Sequence, residues 1–229
     1  LYKGFGEKTQ QNVAESIEFY LHNSGYYLYP QVEVVVPQIT AYLEKLFGPE
    51  NVSLTGAFLR HLEVIEELEY AVRGSNEAIK PRFHSANPPE LLEEKPDSLL
   101  YKLLNGLKLR LYTGEVDFGQ RCFLRAGSPE FGEAFREQFP QVDYGQLNGA
   151  DDRAIFEQAG ISYIQPCLRE KPTIIQRAKK GLLPKLIEFS DIRGIIHSHS
   201  NWSDGSNSLE EMALAAQAQG LEYLVISDH

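Results

Sequence analysis

Apolar positions in the first fifth of the chain recur at helical spacing. Val13, Ile17, Tyr20 and Leu21 form one set and Ile39, Leu43, Leu46 and Phe47 another, each on one face of a 3.6-residue turn. The first set follows the turn Gly4-Phe5-Gly6-Glu7-Lys8-Thr9 and predicts a helix within residues 1–29. The second begins after Pro30 and is stopped by Gly48-Pro49. From Asn51 to Val72 the spacing shortens, predicting two strands about a turn. The polar, proline-bearing stretch from Gly74 to Asp97 predicts a strand and a surface loop. Near the other end, Gly194 to His199 reads as a strand and Ser208 to Gly220 as a helix with apolar Leu209, Met212, Ala213 and Ala216. Leu221 to Ser227 reads as a second strand. Strand, helix, strand makes a βαβ unit, whose crossover is expected to be right-handed with the strands parallel.

A chain of 229 residues that is 42% hydrophobic can bury one sizeable core or a few small ones, and no apolar run is long enough to span a bilayer. This predicts a soluble, cytoplasmic protein with no membrane partner. The opening Leu1-Tyr2-Lys3 has no leader character and reads as the interior of a longer protein. Cys122 and Cys167 lack CxxC spacing, which predicts reduced, buried thiols rather than a disulfide frame or zinc knuckle. The net charge of -10 argues against a general polyanion binder, because nucleic-acid affinity rests on neutralising phosphates with Lys and Arg. One stretch departs from that balance: Arg169, Lys171, Arg177, Lys179, Lys180 and Lys185 stand against Glu170 alone. It reads equally as a backbone-binding patch or a solvated linker face.

Candidate chemistry concentrates at the end, where His197, His199, Asp204, Asp228 and His229 lie within two short segments. Side chains two apart on a strand project to one side, so His197 and His199 can share a metal. In a parallel pair, His199 and Asp228-His229 both lie at carboxyl ends of strands, where such sheets carry their sites. Imidazole and carboxylate donors suit a divalent transition metal such as zinc or manganese. The motif HSHSNWSDG, followed by SDH, resembles the first two motifs of the polymerase and histidinol phosphatase (PHP) domain, a family of metal-dependent phosphoesterases. The resemblance implies that His197, His199, Asp204 and His229 help hold a cluster of up to three metals that activates water against a phosphate ester. It also implies further ligands from later motifs, so the residues up to His229 are expected to supply at most half of the site.

A second resemblance covers residues 56–69, GAFLRHLEVIEELE, which is similar to the palm signature of family X DNA polymerases, the group that includes polymerase beta. The family pattern implies nucleotide triphosphate binding at Gly56 and Arg60 and magnesium binding at Glu67 and Glu69. Both acids stand where the family has aspartate, and Ala57 stands where it has serine. The third aspartate falls at Lys108 in Leu107-Lys108-Leu109-Arg110. An ammonium there occupies the place of a magnesium ligand, so two-metal transfer is expected to fail, leaving magnesium and the nucleotide triphosphate in doubt. Alternatively, Lys108 pairs with Glu67 or Glu69 as a buried ion pair that keeps the palm folded. Residues 118–169 are similar to the polymerase thumb, with Arg125-Ala126-Gly127-Ser128 where the family has an aromatic and a Gly-Ser.

The opening turn, with Gly4, Gly6 and Lys8, resembles the second half of a helix-hairpin-helix that grips DNA backbone at a helix amino terminus. His22, His61 and His84 read as ordinary histidines, and Tyr26, Tyr27 and Tyr29 as packing residues. The order of parts is that of bacterial family X polymerases. It implies an α+β multidomain fold: a helix-hairpin-helix or fingers remnant (1–29), a palm of mixed sheet plus helices (30–117), a thumb (118–170), a linker (171–191) and the first βαβ unit of a PHP barrel (192–229). The implied function is a DNA repair protein that binds gapped or primer-template DNA, with a degenerate palm and a 3′-5′ exonuclease-type phosphoesterase centre. The alternatives are a non-catalytic DNA-binding scaffold and a phosphoesterase acting on small phosphate esters.

Overall fold

The computed structural model describes residues 6–22, 25–83, 88–147 and 151–229, so Gly4 and His84 lie outside the described residues. The chain divides into two compact units, Leu1–Leu183 and Pro184–His229. The first begins with α1 (Glu7–His22), β1 (Tyr27–Leu28), α2 (Tyr29–Glu33), α3 (Val36–Phe47), β2 (Val52–Thr55), α4 (Gly56–Leu59), β3 (Val64–Ile65) and β4 (Glu67–Arg73). It continues through α5 (Asn76–Ile79), β5 (Glu90–Lys95), β6 (Ser98–Lys102) and β7 (Lys108–Gly114). Four helices complete it: α6 (Phe118–Arg125), α7 (Pro129–Gln138), α8 (Arg153–Ala159) and α9 (Thr173–Lys179). The two strands expected from residues 51–72 are present as β2 and β4, but α4 and the two-residue β3 stand between them where a simple turn was read. The stretch from Gly74 to Asp97 likewise holds α5 as well as the strand β5. Four residues make barely one turn, too little for a 3.6-residue period to register.

Five strands form a mixed sheet in the order β2-β4-β7-β6-β5, with β4 and β7 parallel and the other neighbours antiparallel; β1 and β3 pair separately. Alternation along β4 and β7 divides the sheet into two faces. Leu68, Tyr70, Leu109 and Leu111 point into a core that also takes Leu43 of α3, and the Tyr70 hydroxyl shares a 2.6 Å hydrogen bond with Thr40. Glu67, Glu69, Lys108, Arg110 and Tyr112 alternate with them on the half-buried opposite face. On α1, Val13 and Ile17 are 45% and 55% exposed.

The helices enclose a second core of Phe123, Phe131, Phe135, Phe139, Ile155, Phe156, Ile164 and Ile175. Ser128 starts α7 by accepting the Phe131 N–H at 3.1 Å, while its hydroxyl donates to the Glu170 carbonyl at 2.8 Å. That contact pins the segment carrying Arg169, which is fully buried. Arg169 donates twice to Asp152, donates from Nε to the Ile164 carbonyl at 2.9 Å, and lies within 4.9 to 6.0 Å of the rings of Phe123, Phe131, Phe156 and Tyr163.

Both cysteines are free thiols. Cys122, buried against Ala71 and Phe118, has its thiol pushed up to about 11 by burial, whereas Cys167 is only half-buried. Since the thiolate is the reactive form, iodoacetamide at pH 8 is expected to label Cys167 first in the folded protein. Mass spectrometry of the labelled peptides checks this, and equal rates for the two thiols before denaturation would contradict it.

The second unit contains β8 (Gly194–Ser198), α10 (Leu209–Ala218) and β9 (Tyr223–Ile226), and β8 and β9 are parallel, as the βαβ pattern requires. A capping box starts α10: Ser208 Oγ accepts from Glu211 N at 3.3 Å, and Glu211 Oε2 accepts from Ser208 N at 2.8 Å. No helix among the described residues is long and apolar enough to cross a membrane.

Candidate functional site

Within the second unit, β8 delivers His197 and His199 to the same side, with ring centroids 5.1 Å apart. His229 follows β9, and its ring centroid lies 4.9 Å from that of His199. Donor atoms of His199, Asp204 and His229 all fall within 4.8 Å of one another. His197 is exposed beside this group but does not share its convergence point. His199 Nδ1 is shielded from solvent and has no hydrogen-bond partner, although Asp204 Oδ1 is 3.1 Å away. The pair is close but misaligned for a hydrogen bond. A shielded, unpartnered imidazole nitrogen facing a carboxylate and a second imidazole fits a divalent cation of zinc or manganese type, which takes N and O donors at about 2.0 to 2.2 Å.

The loop that carries Asp204 is fixed by its own backbone and by Asp228. Ser203 N and Gly205 N donate to the Ser200 carbonyl at 3.1 and 3.0 Å, and Asn201 N donates to the Asn207 carbonyl at 2.8 Å. A Cβ at Gly205 would come within 1.9 Å of the His199 carbonyl oxygen, so only glycine lets the loop close this tightly. Asp228 accepts from Ser200 N at 2.7 Å, from the Ser200 hydroxyl, and from the Ser203 hydroxyl at 2.7 Å. These bonds, the Ser200 hydroxyl first, hold its carboxyl below the ordinary range. Asp228 was read as part of the chemistry; here it organises the loop that aims His199 and Asp204. Trp202, on the same loop, is 80% exposed.

On the sheet of the first unit, the parallel register sets Glu67 beside Lys108 and Glu69 beside Arg110. Side-chain reach then decides the pairing, and the result corrects the expected buried ion pair at Lys108. Lys108 Nζ goes to Glu66 Oε1 at 3.1 Å, a surface pair with side chains 32% and 50% exposed. Such pairs contribute about 0.2 to 1 kcal/mol. Arg110 takes the inner place instead. Its Nε and Nη2 donate to the two oxygens of Glu67, the latter at 2.9 Å, and Nη1 donates to Glu93 Oε1 at 2.9 Å. The Glu67 contact raises the Arg110 pKa, while Arg110 in turn lowers that of Glu93. A planar fork matches a carboxylate bidentately, which an ammonium cannot do.

Glu69 is engaged as fully. Its Oε1 accepts the Ala57 N–H at 2.9 Å and its Oε2 the Tyr112 hydroxyl at 2.7 Å. Burial, reinforced by Glu69, keeps that hydroxyl protonated beyond its ordinary range, and the Arg125 guanidinium lies 4.0 Å from the Tyr112 ring centroid. Gly56 makes room for Glu69: with φ at +71°, it leaves a space where a Cβ would sit 2.0 Å from Glu69 Oε1. Arg60 donates from Nε to Glu170 and is 3.5 Å from the Gly127 carbonyl. These groups border a cleft of about 310 Å³ lined by Arg60, Glu69, Tyr112, Arg125 and Arg136. Gly6 immediately precedes α1, its carbonyl accepting from Thr9 N at 2.9 Å and Gln10 N at 3.0 Å, with Lys8 exposed nearby.

Sequence reading missed Arg110, Tyr112, Glu93 and Arg125 as determinants of the acidic face. The signal was the two-residue period of β7, which puts Arg110 and Tyr112 on the face of Lys108.

A mixed sheet bearing paired acids, joined to helices in an α+β chain, is compatible with a polymerase beta-like fold. No family model matches the chain. Over 99% of its length it is 24% identical to the protein of Bacillus subtilis (strain 168) named DNA polymerase/3'-5' exonuclease PolX. The chain spans 42% of that relative's length.

Proposed function

We propose that the chain serves in DNA repair as a family X polymerase-like protein whose palm (30–117) no longer transfers nucleotides. Phosphodiester hydrolysis then belongs to a PHP-type centre built on His197, His199, Asp204 and His229, and the helices of 118–170 support the palm as a thumb. The likeness to a protein named DNA polymerase/3'-5' exonuclease supports the choice of DNA as partner. One observation carries the reading of a silent palm: both oxygens of Glu67 are held by Arg110, and both oxygens of Glu69 by the Ala57 amide and Tyr112. Magnesium demands near-ideal octahedral oxygen ligation at about 2.0 to 2.1 Å. Seating it would mean stripping a bidentate guanidinium from Glu67 beside the ammonium of Lys108. These residues do not fit a magnesium pair.

At the other centre, a divalent ion held by His199, Asp204 and His229 would supply an activated water and polarise a phosphate ester. Asp228 and the loop bonds keep those donors oriented, and His197 stands ready on the same face of β8. Gly6 and Lys8, at the amino terminus of α1, would offer a backbone phosphate a place to dock.

Primer extension on gapped duplex with deoxynucleotides and magnesium or manganese is expected to stay at background for the unaltered protein and for Glu67→Ala alike. Incorporation by the unaltered protein that Glu67→Ala abolishes would refute the silent palm. Manganese binding, lost in His199→Ala, is the expected positive result at the second centre, and release of 3′ nucleotides would need the further ligands that the PHP resemblance implies.

A further inference from the structure

Between Lys171 and Ile187 the chain carries no acidic residue, although its net charge is -10. Four cations of this stretch, Lys171, Arg177, Lys179 and Lys180, lie in the first unit, on and around α9, and all are exposed. The apolar side of α9 is spent on the protein's own core through Ile174, Ile175 and Ala178, which are 8%, 0% and 2% exposed. The outward side is therefore purely polar: Thr173, Gln176, Arg177 and Lys180 occupy it.

Two of the cations are held in position without being neutralised. Lys179 Nζ is 2.7 Å from Gln138 Oε1 and 4.9 Å from the Phe139 ring centroid, and Gln176 donates to the same Gln138 oxygen at 3.0 Å. Arg177 Nε donates to the Leu182 carbonyl at 3.1 Å. Among the described residues none of the four lies within ion-pair distance of a carboxylate, whereas Arg60, Lys80, Lys95, Lys108, Arg110 and Arg169 all do. Four exposed cations on and around one short helix, in a stretch that holds no acid to neutralise them, leave that face open to an external anion.

We infer that Lys171, Arg177, Lys179 and Lys180 form a docking surface for a nucleic-acid sugar-phosphate backbone. Dispersed single charges with no apolar residue between them on the outward face suit a repeating anion rather than a lipid bilayer, which needs an apolar face to insert. The helix is about 10 Å long at 1.5 Å per residue, the axial length over which one strand of duplex presents about three phosphates at 3.4 Å. The contact reads no bases, because guanidinium and ammonium groups on a phosphate track carry position, not sequence. The inference rests on the proposal that the partner is DNA.

Anisotropy titrations of labelled gapped duplex over a range of salt test it. Replacing all four cations by glutamine is expected to flatten the slope of log K against log salt by about three, because each phosphate contact contributes about 0.9. The charge-keeping variant Lys171→Arg/Lys179→Arg/Lys180→Arg is expected to keep the original slope. An unchanged slope in the glutamine variant, with DNA still bound, would overturn this surface and leave the repair reading standing. No binding by the unaltered protein would overturn both. Loss of binding to phosphatidylserine vesicles in the glutamine variant, with its DNA slope unchanged, would make the surface a membrane contact and overturn the inference.

Discussion

Asp152→Ala is expected to destabilise the Leu1–Leu183 unit by about 3 to 5 kcal/mol, because it strands a fully buried guanidinium without its counter-charge. Total stabilities of single domains run at about 5 to 15 kcal/mol, so the loss is a large share of the whole. Arg169→Met should cost a similar amount for a second reason: it also removes the cation from among four aromatic rings and leaves the Ile164 carbonyl without its donor. The double variant Asp152→Leu/Arg169→Met should recover part of the loss, since no uncompensated charge then stays buried. Urea unfolding followed by far-ultraviolet circular dichroism measures all three. A cost below about 1 kcal/mol in both single variants would mean that water reaches the pair and that its burial is incidental.

Asp228→Ala is expected to weaken divalent-metal binding about 10- to 100-fold, the usual consequence of losing a group that orients ligands without being one. Its carboxylate holds Ser200 and Ser203, and through them the loop from His199 to Asp204. The effect should appear in calorimetric titration with manganese or zinc, independently of any catalytic assay. Ser203→Ala removes one of the three bonds and should give a smaller loss. Unaltered affinity in Asp228→Ala would show that the loop's backbone bonds suffice to aim the ligands.

The parts of this chain that were legible in its sequence are those governed by local rules. The apolar spacing Leu209, Met212, Ala213 and Ala216 with the closing Gly220 made α10 readable, though not its Ser208–Glu211 cap, and the strands on either side follow from short apolar runs. His199 and His229 were readable together because the parallel βαβ arrangement sets both at neighbouring strand ends, whereas Asp204 entered only through the resemblance to the PHP motif and alternation pointed to His197, which does not share the convergence point. The partner of Lys108 was not readable. Register alone sets it beside Glu67, but the two N–H donors on one rigid guanidinium edge outcompete one flexible ammonium for both oxygens, while Nη1 of the same group is held by Glu93 from β5. The burial of Arg169 was equally hidden, since arginine is almost never fully buried unless paired, and its partner lies 17 positions away. The helix α4 escaped because four residues carry no period.

One further consequence follows from the room that Gly56 leaves for Glu69. The longer acid bends back far enough to serve as acceptor for a main-chain amide and a phenol of its own protein. An aspartate at position 69 would stop short by one carbon–carbon bond, about 1.5 Å. It would leave the Ala57 amide and the Tyr112 hydroxyl without their acceptor and turn its own charge outward to whatever enters the cleft. A single methylene thus determines whether this carboxylate ties the fold together or meets a visitor.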